Sequence, residues 1–326
     1  MFLRTSIQVE LGEEPHNEHS KRSGYAEPMK RDFSALVKAP ALVSTAWLSS
    51  QLSAVKVVDA SWYLPAMKRD PRAEFESCRI PGATFFDVDA TDDKSNLPHM
   101  IPSEEFFGKM MGELGVSSED HVIAYDGKGI FSAARLWWML RAFGHERASV
   151  LDGGLPAWVR DKHPTESGPP EPPAVASAPF VAKLQPGTVC SLDRMKLVAE
   201  GGTTMPIVVD ARPQGRFEGT VAEARPGCRS GHIPGSRSVP FDRVLREDGT
   251  MKPSGEVATT FAAAGVVDVS APLIGSCGSG VTASVLALAL EHAGRDSLME
   301  VYDGSWAEWG SDPSLPLETG PAPPTA

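Results

Sequence analysis

One cysteine of the chain, Cys277, stands in a stretch whose residue types fit nucleophilic chemistry at sulfur. Residues 274–283 read I-G-S-C-G-S-G-V-T-A, so a short apolar segment leads into the cysteine, two glycines follow, and the alanine- and leucine-rich run behind them predicts a helix. Such a loop can turn its backbone N–H groups inward around an anion, at the positive end of a helix dipole. This setting favours the thiolate of a cysteine. The stretch predicts a reactive nucleophile, and the alternative is a buried structural cysteine on a glycine-rich turn.

The elements that must position this loop occur twice in the chain. Short apolar segments alternate with helical segments in each copy, which predicts an α/β fold with a parallel sheet covered on both faces. Ligands bind such sheets at the carboxyl ends of the strands, where Cys277 falls. Three motifs recur in the same order, 151 to 153 residues apart: V-V-D-A at 57–60 and 208–211, I-P-G at 80–82 and 233–235, and L-D-G or Y-D-G at 151–153 and 302–304.

The repeat provides an internal control for the cysteine. The position of the first copy that corresponds to Cys277 is Asp126, in Y-D-G-K-G-I-F-S-A-A. The first copy therefore keeps the strand, the glycines and the helix without a sulfur atom, so the loop shape alone does not require cysteine. We expect Cys277 to serve chemistry, and the first copy to support the site and form one of its walls.

Proline-rich segments mark the boundaries of the two copies. A polar N-terminal segment with acidic residues is a poor targeting peptide, so a disordered leader and a cytoplasmic location are expected, with a mitochondrial location as the alternative. The predicted organisation is a leader at 1–40, a first domain at 41–162, a proline-rich linker at 163–187, a second domain at 188–312 and a proline-rich tail at 313–326.

The bulk properties exclude several other classes of protein. The 326 residues, 41% of them hydrophobic and 22% charged, suit about two soluble domains. A net charge of −11 argues against nucleic acid or an anionic membrane as the main partner, and no apolar run approaches the ~20 residues of a membrane span. The four cysteines show no metal-ligand spacing, so no metal is predicted, and their small number favours a reducing compartment over a disulfide framework.

Over residues 43–309 the chain resembles the tandem-rhodanese sulfurtransferases. The resemblance rests on the repeat, on the paired I-P-G turns, on aspartate in place of a cysteine in the first copy, and on C-G-S-G-V-T in the second. It is closest to the 3-mercaptopyruvate branch of the family, and residues 125–138 are similar to plant-type members. It implies two rhodanese-like domains, each with a five-stranded parallel sheet, the first inactive and the second catalytic. It further implies that Cys277, without a cofactor, moves sulfur from 3-mercaptopyruvate through a persulfide to a thiol such as thioredoxin or glutathione, or to cyanide, and releases pyruvate.

The resemblance also assigns roles to individual residues. Arg216 and Arg225 match the substrate-binding pair of the family, and an arginine can hold a carboxylate through two parallel hydrogen bonds. Ser279 is placed to pass or stabilise a proton. Members that prefer thiosulfate typically carry basic side chains in the loop, whereas the uncharged loop of this chain suits the single carboxylate of mercaptopyruvate. Loop residues expected to bind the substrate or the outer sulfur are Gly278, Gly280, Val281 and Thr282.

The chain departs from the family at the expected proton relay. A histidine commonly precedes the first I-P-G turn of the family, but this chain has Arg79 there and keeps His232 in the second copy. Asp70 is the candidate relay aspartate. Arg79 is either a further anion contact or an ordinary exposed residue.

Two alternative functions are open at this point, and a third is disfavoured. Thiosulfate could be the true sulfur donor, or the protein could carry a persulfide to one partner without turnover. Dual-specificity phosphatases have a loop of similar shape, but the arginine that clamps phosphate would fall at position 283, where this chain has Ala283.

Overall fold

The computed structural model describes residues 38–201 and 206–322 and contains two five-stranded parallel sheets. Apart from residues 38–40, the predicted leader lies outside the described residues. The first sheet has the spatial order β1-β5-β4-β2-β3 and the second the order β6-β10-β9-β7-β8. The strands are β1 (Leu42–Val43), β2 (Lys56–Asp59), β3 (Thr84–Phe85), β4 (Val122–Tyr125) and β5 (Ala148–Leu151), then β6 (Val189–Cys190), β7 (Ile207–Asp210), β8 (Arg237–Ser238), β9 (Leu273–Ser276) and β10 (Glu300–Tyr302). The predicted fold of two parallel five-stranded sheets is confirmed.

Helices cover both sheets, and several begin at a serine. Ser44, Ser103 and Ser191 each accept a hydrogen bond from a backbone N–H of the first turn, which satisfies a donor that the helix itself leaves free. None of the helices within the two described ranges has the length and apolar character needed to cross a membrane. The helices are α1 (Thr45–Gln51), α2 (Pro71–Ser77), α3 (Glu104–Glu113), α4 (Ala133–Ala142) and α5 (Gly154–Arg160), then α6 (Leu192–Ala199), α7 (Gln214–Phe217), α8 (Ser254–Ala263), α9 (Val281–His292) and α10 (Ser305–Trp309).

The two domains share one hydrophobic core, because helices α4 and α9 pack against each other. Every residue of α4 is buried, including Trp137 and Trp138, and α9 is buried over most of its length. Each of these helices follows the central strand of its sheet. The residues at the start of α4 and α9 are therefore held at the domain interface, which is where the Asp126 and Cys277 loops lie.

Polar contacts across the interface repeat the symmetry of the chain. The Ile101 N–H donates to Asp303 of the second domain over 2.7 Å, and the Met251 N–H donates to Asp152 of the first domain over the same distance. One further contact has no counterpart. Arg135 of α4, fully buried, donates to the Asp303 carboxylate at 2.5 Å and to the His99 carbonyl at 2.6 Å.

The segment after the last helix of each domain braces the I-P-G turn of that domain. Arg79 forms an antiparallel bridge with Glu166, and His232 forms the equivalent bridge with Glu318. Residues 163–168 of the predicted linker and 313–320 of the predicted tail thus stay on their domains, where Leu315 is buried. The domain boundaries themselves stay predictions.

We expect Arg135→Leu to lower the free energy of unfolding by about 3–5 kcal/mol, because it leaves the Asp303 carboxylate buried without its cation. Denaturant unfolding measures the change. Arg160→Leu is the matched control, since Arg160 also pairs across the domains, with Asp248, but both side chains are 48% exposed and such pairs contribute little. Equal losses in the two variants would contradict a special role for the buried pair.

Candidate active site

Cys277 lies directly after β9, the central strand of the second sheet, and its side chain is only 1% exposed. The Ser279 N–H points at the Cys277 sulfur with an N–S distance of 3.5 Å. Gly280 then takes a φ of +78°, and a Cβ atom at this residue would lie 3.0 Å from the Arg135 guanidinium. The positive φ and the short distance to Arg135 both favour glycine at this position of the Cys277 loop.

Ser305 holds the Cys277 loop in shape from the adjacent β10–α10 connection. Its hydroxyl donates to the Tyr302 carbonyl at 2.7 Å and accepts from the N–H groups of Cys277 at 3.3 Å and Gly280 at 3.1 Å. Ser305 itself has a φ of +50°, an uncommon conformation for a residue with a side chain. The buried hydroxyl thus replaces two hydrogen-bond partners that the curled loop cannot supply.

Helix α10 adds two backbone bonds to the same loop. The Trp306 N–H donates to the Cys277 carbonyl and the Ala307 N–H to the Gly278 carbonyl, both at 3.0 Å. These bonds hold the two carbonyls on the side of α10, while the Ser279 N–H faces the sulfur.

The first domain shows what this loop geometry can hold. The Asp126 carboxylate, fully buried, accepts four backbone N–H bonds between 2.8 and 3.0 Å. Because a buried charge is costly unless it is hydrogen-bonded, the loop is a built anion cradle. The donors are Lys128, Gly129, Phe131 and Ala133, which correspond in the repeat to Ser279, Gly280, Thr282 and Ser284 beside Cys277.

Arg216 lies against the Cys277 loop, and Arg225 is close enough to Cys277 for their charges to interact. A Cβ atom at Gly278 would be 3.5 Å from the Arg216 guanidinium. Arg225 is half-buried and makes no hydrogen bond or ion pair with any described side chain. Burial lowers the pKa of Arg225, and repulsion from Arg216 acts in the same direction, while Cys277 and Asp89 attract its charge. Arg225 is therefore a cation with spare hydrogen-bond donors next to the nucleophile.

Arg212, in contrast, is buried and held by protein groups. Its guanidinium donates to the Asp210 carboxylate, to Glu223 and to the Gly231 carbonyl, and it stacks 4.3 Å from the Trp306 ring. Arg212 thus ties residues 210–225, called the arginine segment below, to α10, and four of its five N–H donors bind the protein.

Comparison with known proteins identifies the fold family. A family model of the rhodanese-like domain matches residues 44–161 and 193–312. Over 299 residues the chain is 42% identical to the mitochondrial thiosulfate/3-mercaptopyruvate sulfurtransferase 1 of Arabidopsis thaliana, an alignment that covers 85% of this chain and 78% of the relative. The chain belongs to the rhodanese family.

Two further comparisons cover both rhodanese domains. The 3-mercaptopyruvate sulfurtransferase of Homo sapiens is 43% identical over 278 residues, covering 82% of this chain and 91% of the relative. A crystal structure of a 3-mercaptopyruvate sulfurtransferase from Escherichia coli superposes with a TM-score of 0.72 at 39% identity, covering 82% of this chain and 99% of that one. The resemblance stated from the sequence motifs is confirmed.

The first rhodanese domain also brings a histidine–carboxylate pair to this interface, and the sequence prediction missed it. His99 Nδ1 lies 2.5 Å from Asp89, and Trp62 donates its indole N–H to the same carboxylate at 3.0 Å. The His99 ring is buried edge-on against the Trp62 ring, and neither of its ring nitrogens forms a hydrogen bond of good geometry within the described parts of the chain. Arg135, which holds the His99 carbonyl, also touches the loop at Gly280.

The Asp89 carboxylate of this pair also attracts the charge of Arg225. Burial raises the pKa of Asp89, but the close contact with His99 and the attraction of its charge outweigh this effect, and Arg225 acts in the same direction as His99, so the pKa lies below its usual value. A comparison of the two copies in the sequence could have drawn attention to His99. His99 precedes α3, whereas the corresponding segment before α8, residues 239–253, has no histidine.

Asp70, the candidate relay aspartate, and Arg79, expected to be either an anion contact or an ordinary exposed residue, have other partners. The Asp70 carboxylate is exposed and caps α2 by accepting from the N–H groups of Arg72 and Ala73. Arg79 is buried, donates to the Gly168 carbonyl at 2.6 Å and pairs with Glu166 at 3.6 Å. Neither is joined to the Cys277 loop by a contact between described residues. Both serve the local structure around the first I-P-G turn.

We expect Ser305→Ala to reduce kcat/KM by roughly 10- to 100-fold, because small displacements of catalytic atoms have effects of this size. Two buried N–H groups lose their acceptor, so the free energy of unfolding should also fall by about 1–3 kcal/mol. Ser284→Ala is the matched control, because this buried hydroxyl donates to the Gly280 carbonyl but accepts from neither the Cys277 nor the Gly280 N–H group. An equal loss of activity in the control would argue against Ser305 as the residue that shapes the loop.

Proposed function

We propose that this chain transfers sulfane sulfur from 3-mercaptopyruvate to a thiol or to cyanide through a persulfide on Cys277, and releases pyruvate. The observation that carries the proposal is the anion cradle of the first domain, which holds a carboxylate with four N–H groups. The second domain repeats this loop with a cysteine in place of the aspartate. A cysteine persulfide has the reach and the negative charge to occupy the same cradle.

In the first half-reaction, the Cys277 thiolate attacks the sulfur of 3-mercaptopyruvate. A sulfur–sulfur bond forms, the carbon–sulfur bond breaks, and its electron pair leaves on pyruvate as the enolate. Arg225 and Arg216 bind the carboxylate and carbonyl oxygens of the donor through charged hydrogen bonds. N–H groups of the loop from Gly278 to Thr282, with Val281 at the start of α9, hold the outer sulfur as an anion.

The enolate carbon must then receive a proton. We assign this transfer to His99, oriented by the Asp89 carboxylate at 2.5 Å, together with the Ser279 hydroxyl. The His99 ring is buried against the Asp89 carboxylate, and neither ring nitrogen forms a hydrogen bond of good geometry with a described residue, so a nitrogen is left that can exchange a proton with the substrate. Asp70 and Arg79 have no part in this relay.

In the second half-reaction, an acceptor attacks the outer sulfur and Cys277 leaves as the thiolate. Reduced thioredoxin, glutathione or cyanide can act in this way, and a shared covalent intermediate gives ping-pong kinetics. A reducing compartment, cytoplasmic or mitochondrial, would supply the thiol acceptors.

Thiosulfate is the second candidate donor. The name of the Arabidopsis thaliana relative includes both donors. Thiosulfate is a dianion, however, and residues 278–280 of this chain carry no basic side chain to match its second charge. The uncharged loop favours 3-mercaptopyruvate.

Steady-state sulfur transfer to cyanide, with each donor on the same preparation, tests the proposal. We expect a higher kcat/KM with 3-mercaptopyruvate and loss of turnover to the background rate in Cys277→Ser. Cys190→Ser should keep full activity, because burial raises the pKa of the Cys190 thiol to about 12 and keeps it unreactive at neutral pH. Turnover by Cys277→Ser would defeat the mechanism. A preference for thiosulfate would show that thiosulfate, and not 3-mercaptopyruvate, is the sulfur donor. A Cys277 persulfide that forms without turnover would indicate a protein that carries sulfur to a partner.

The carboxylate-binding role of Arg225 has its own test. Loss of hydrogen bonds to a charged group costs about 1.5–3 kcal/mol, so Arg225→Met should raise KM for 3-mercaptopyruvate by roughly 10- to 100-fold. A smaller change in kcat is expected, because the carboxylate is bound equally in the ground and transition states. Arg194→Met, which removes a cation beside Glu300 at the opposite end of the sheet, is the control. An unchanged KM in Arg225→Met would remove this residue from the site.

A further inference from the structure

Glu223 lies between the arginines of the active site and is almost completely buried. One carboxylate oxygen accepts from Arg212 at 2.7 Å. The other accepts from Nε of Arg216 at 3.0 Å and also pairs with Nη2 of the same guanidinium. The Glu223 side chain is 2% exposed, so water does not screen its charge. Its position is fixed by both arginines at once.

The contacts of Glu223 leave one edge of Arg216 available. Both hydrogen bonds from Arg216 to the described residues end on the same Glu223 oxygen, through Nε and Nη2. The Nη1 group has no protein partner within residues 38–201 and 206–322, and the Arg216 side chain is 19% exposed. Glu223 therefore turns the guanidinium so that its free edge is left for a ligand.

Glu223 also sets the net charge of the buried groups in residues 210–225. This stretch contains three arginines and three carboxylates. Glu218 is partly exposed and accepts from Gln214, whereas Asp210 and Glu223 are nearly inaccessible to water. Arg212 is held by both buried carboxylates, so one positive charge is left in excess over the three arginines and these two carboxylates, and Arg216 and Arg225 share it. Asp89 of the first domain lies near Arg225, but it is 57% exposed and paired with His99, so its field is more strongly screened.

We propose that Glu223 is a specificity-determining residue that limits the donor site to one net positive charge and thereby selects a donor with one negative charge. The inference rests on the proposed function and adds the reason for its donor preference. A monoanion such as 3-mercaptopyruvate neutralises the excess positive charge of the arginines, whereas the second charge of a dianion such as thiosulfate has no cation left to compensate it. Specificity here arises from a repulsive carboxylate as well as from the attractive arginines.

The test is the ratio of kcat/KM for 3-mercaptopyruvate to that for thiosulfate in Glu223→Gln. The amide keeps the size of the side chain but removes its charge, so the ratio should fall by at least about tenfold, the order expected for one unscreened charge within a few ångströms of the donor. Misfolded protein does not affect the result, because the active fraction cancels from a ratio measured on one preparation.

Glu300→Gln is the matched control for this experiment. Glu300 is also buried and binds Arg194 through both oxygens, at 2.6 and 2.9 Å, but it begins β10 at the end of the sheet away from Cys277. Its donor ratio should equal that of the wild type. If the wild type prefers 3-mercaptopyruvate but the ratio is unchanged in Glu223→Gln, the inference is overturned and the proposed function stands. The same holds if the ratio falls equally in Glu223→Gln and Glu300→Gln. A wild type silent with both donors would defeat the proposed function and the inference together.

An equilibrium measurement covers the case in which Glu223→Gln is too slow for kinetics. In the Cys277→Ser background, calorimetry compares the binding of pyruvate, a monoanion, with that of sulfate, a dianion. The added Glu223→Gln change should strengthen sulfate binding relative to pyruvate by at least about tenfold. Equal effects on the two anions would mean that Glu223 only orients Arg216 and does not select charge.

Discussion

The structure depends on one interaction, the convergence of several backbone N–H groups on a single buried anion at the end of a central strand. A charge removed from water is tolerated only when hydrogen bonds replace its hydration. The loop after β4 satisfies this condition with the Asp126 carboxylate, and the loop after β9 presents Cys277 at the same point. Other features of the second domain serve this geometry: the Ser305 hydroxyl, the backbone bonds from α10 and the glycine at 280 all fix the path of the loop.

A second level of organisation is the placement of charge in an acidic protein. The chain carries a net charge of −11, yet the segment beside Cys277 is locally cationic. Arg212 is held by Asp210 and Glu223 and functions as structure, whereas Arg216 and Arg225 keep free donors. The difference between a structural and a binding arginine is set by how many carboxylates each one meets. An acidic surface around this locally cationic segment also concentrates the field that small anions encounter at the site.

The sequence predicted those features that depend on local pattern and on the internal repeat. The bounds of β4 and β9, the helices behind them, the Cys277 loop and the two arginines all follow from hydrophobic patterning or from family motifs. The pair formed by His99 and Asp89 could not be found in this way, because its relation to the loop exists only after α4 and α9 have packed. Glu223 was missed for a related reason, since the irregular segment around it has no periodicity that would show which side chains meet.

The contact of Arg135 with Gly280 and Asp303 has a consequence for any attempt to separate the two halves of the chain. The first domain has no cysteine at the equivalent position, and its cradle holds Asp126. The Arg135 guanidinium of this domain nevertheless lies against the reactive loop of the second domain. An isolated second domain would lose this buried cation and expose the apolar face of α9 to water, so neither the loop nor the core is complete in one half alone.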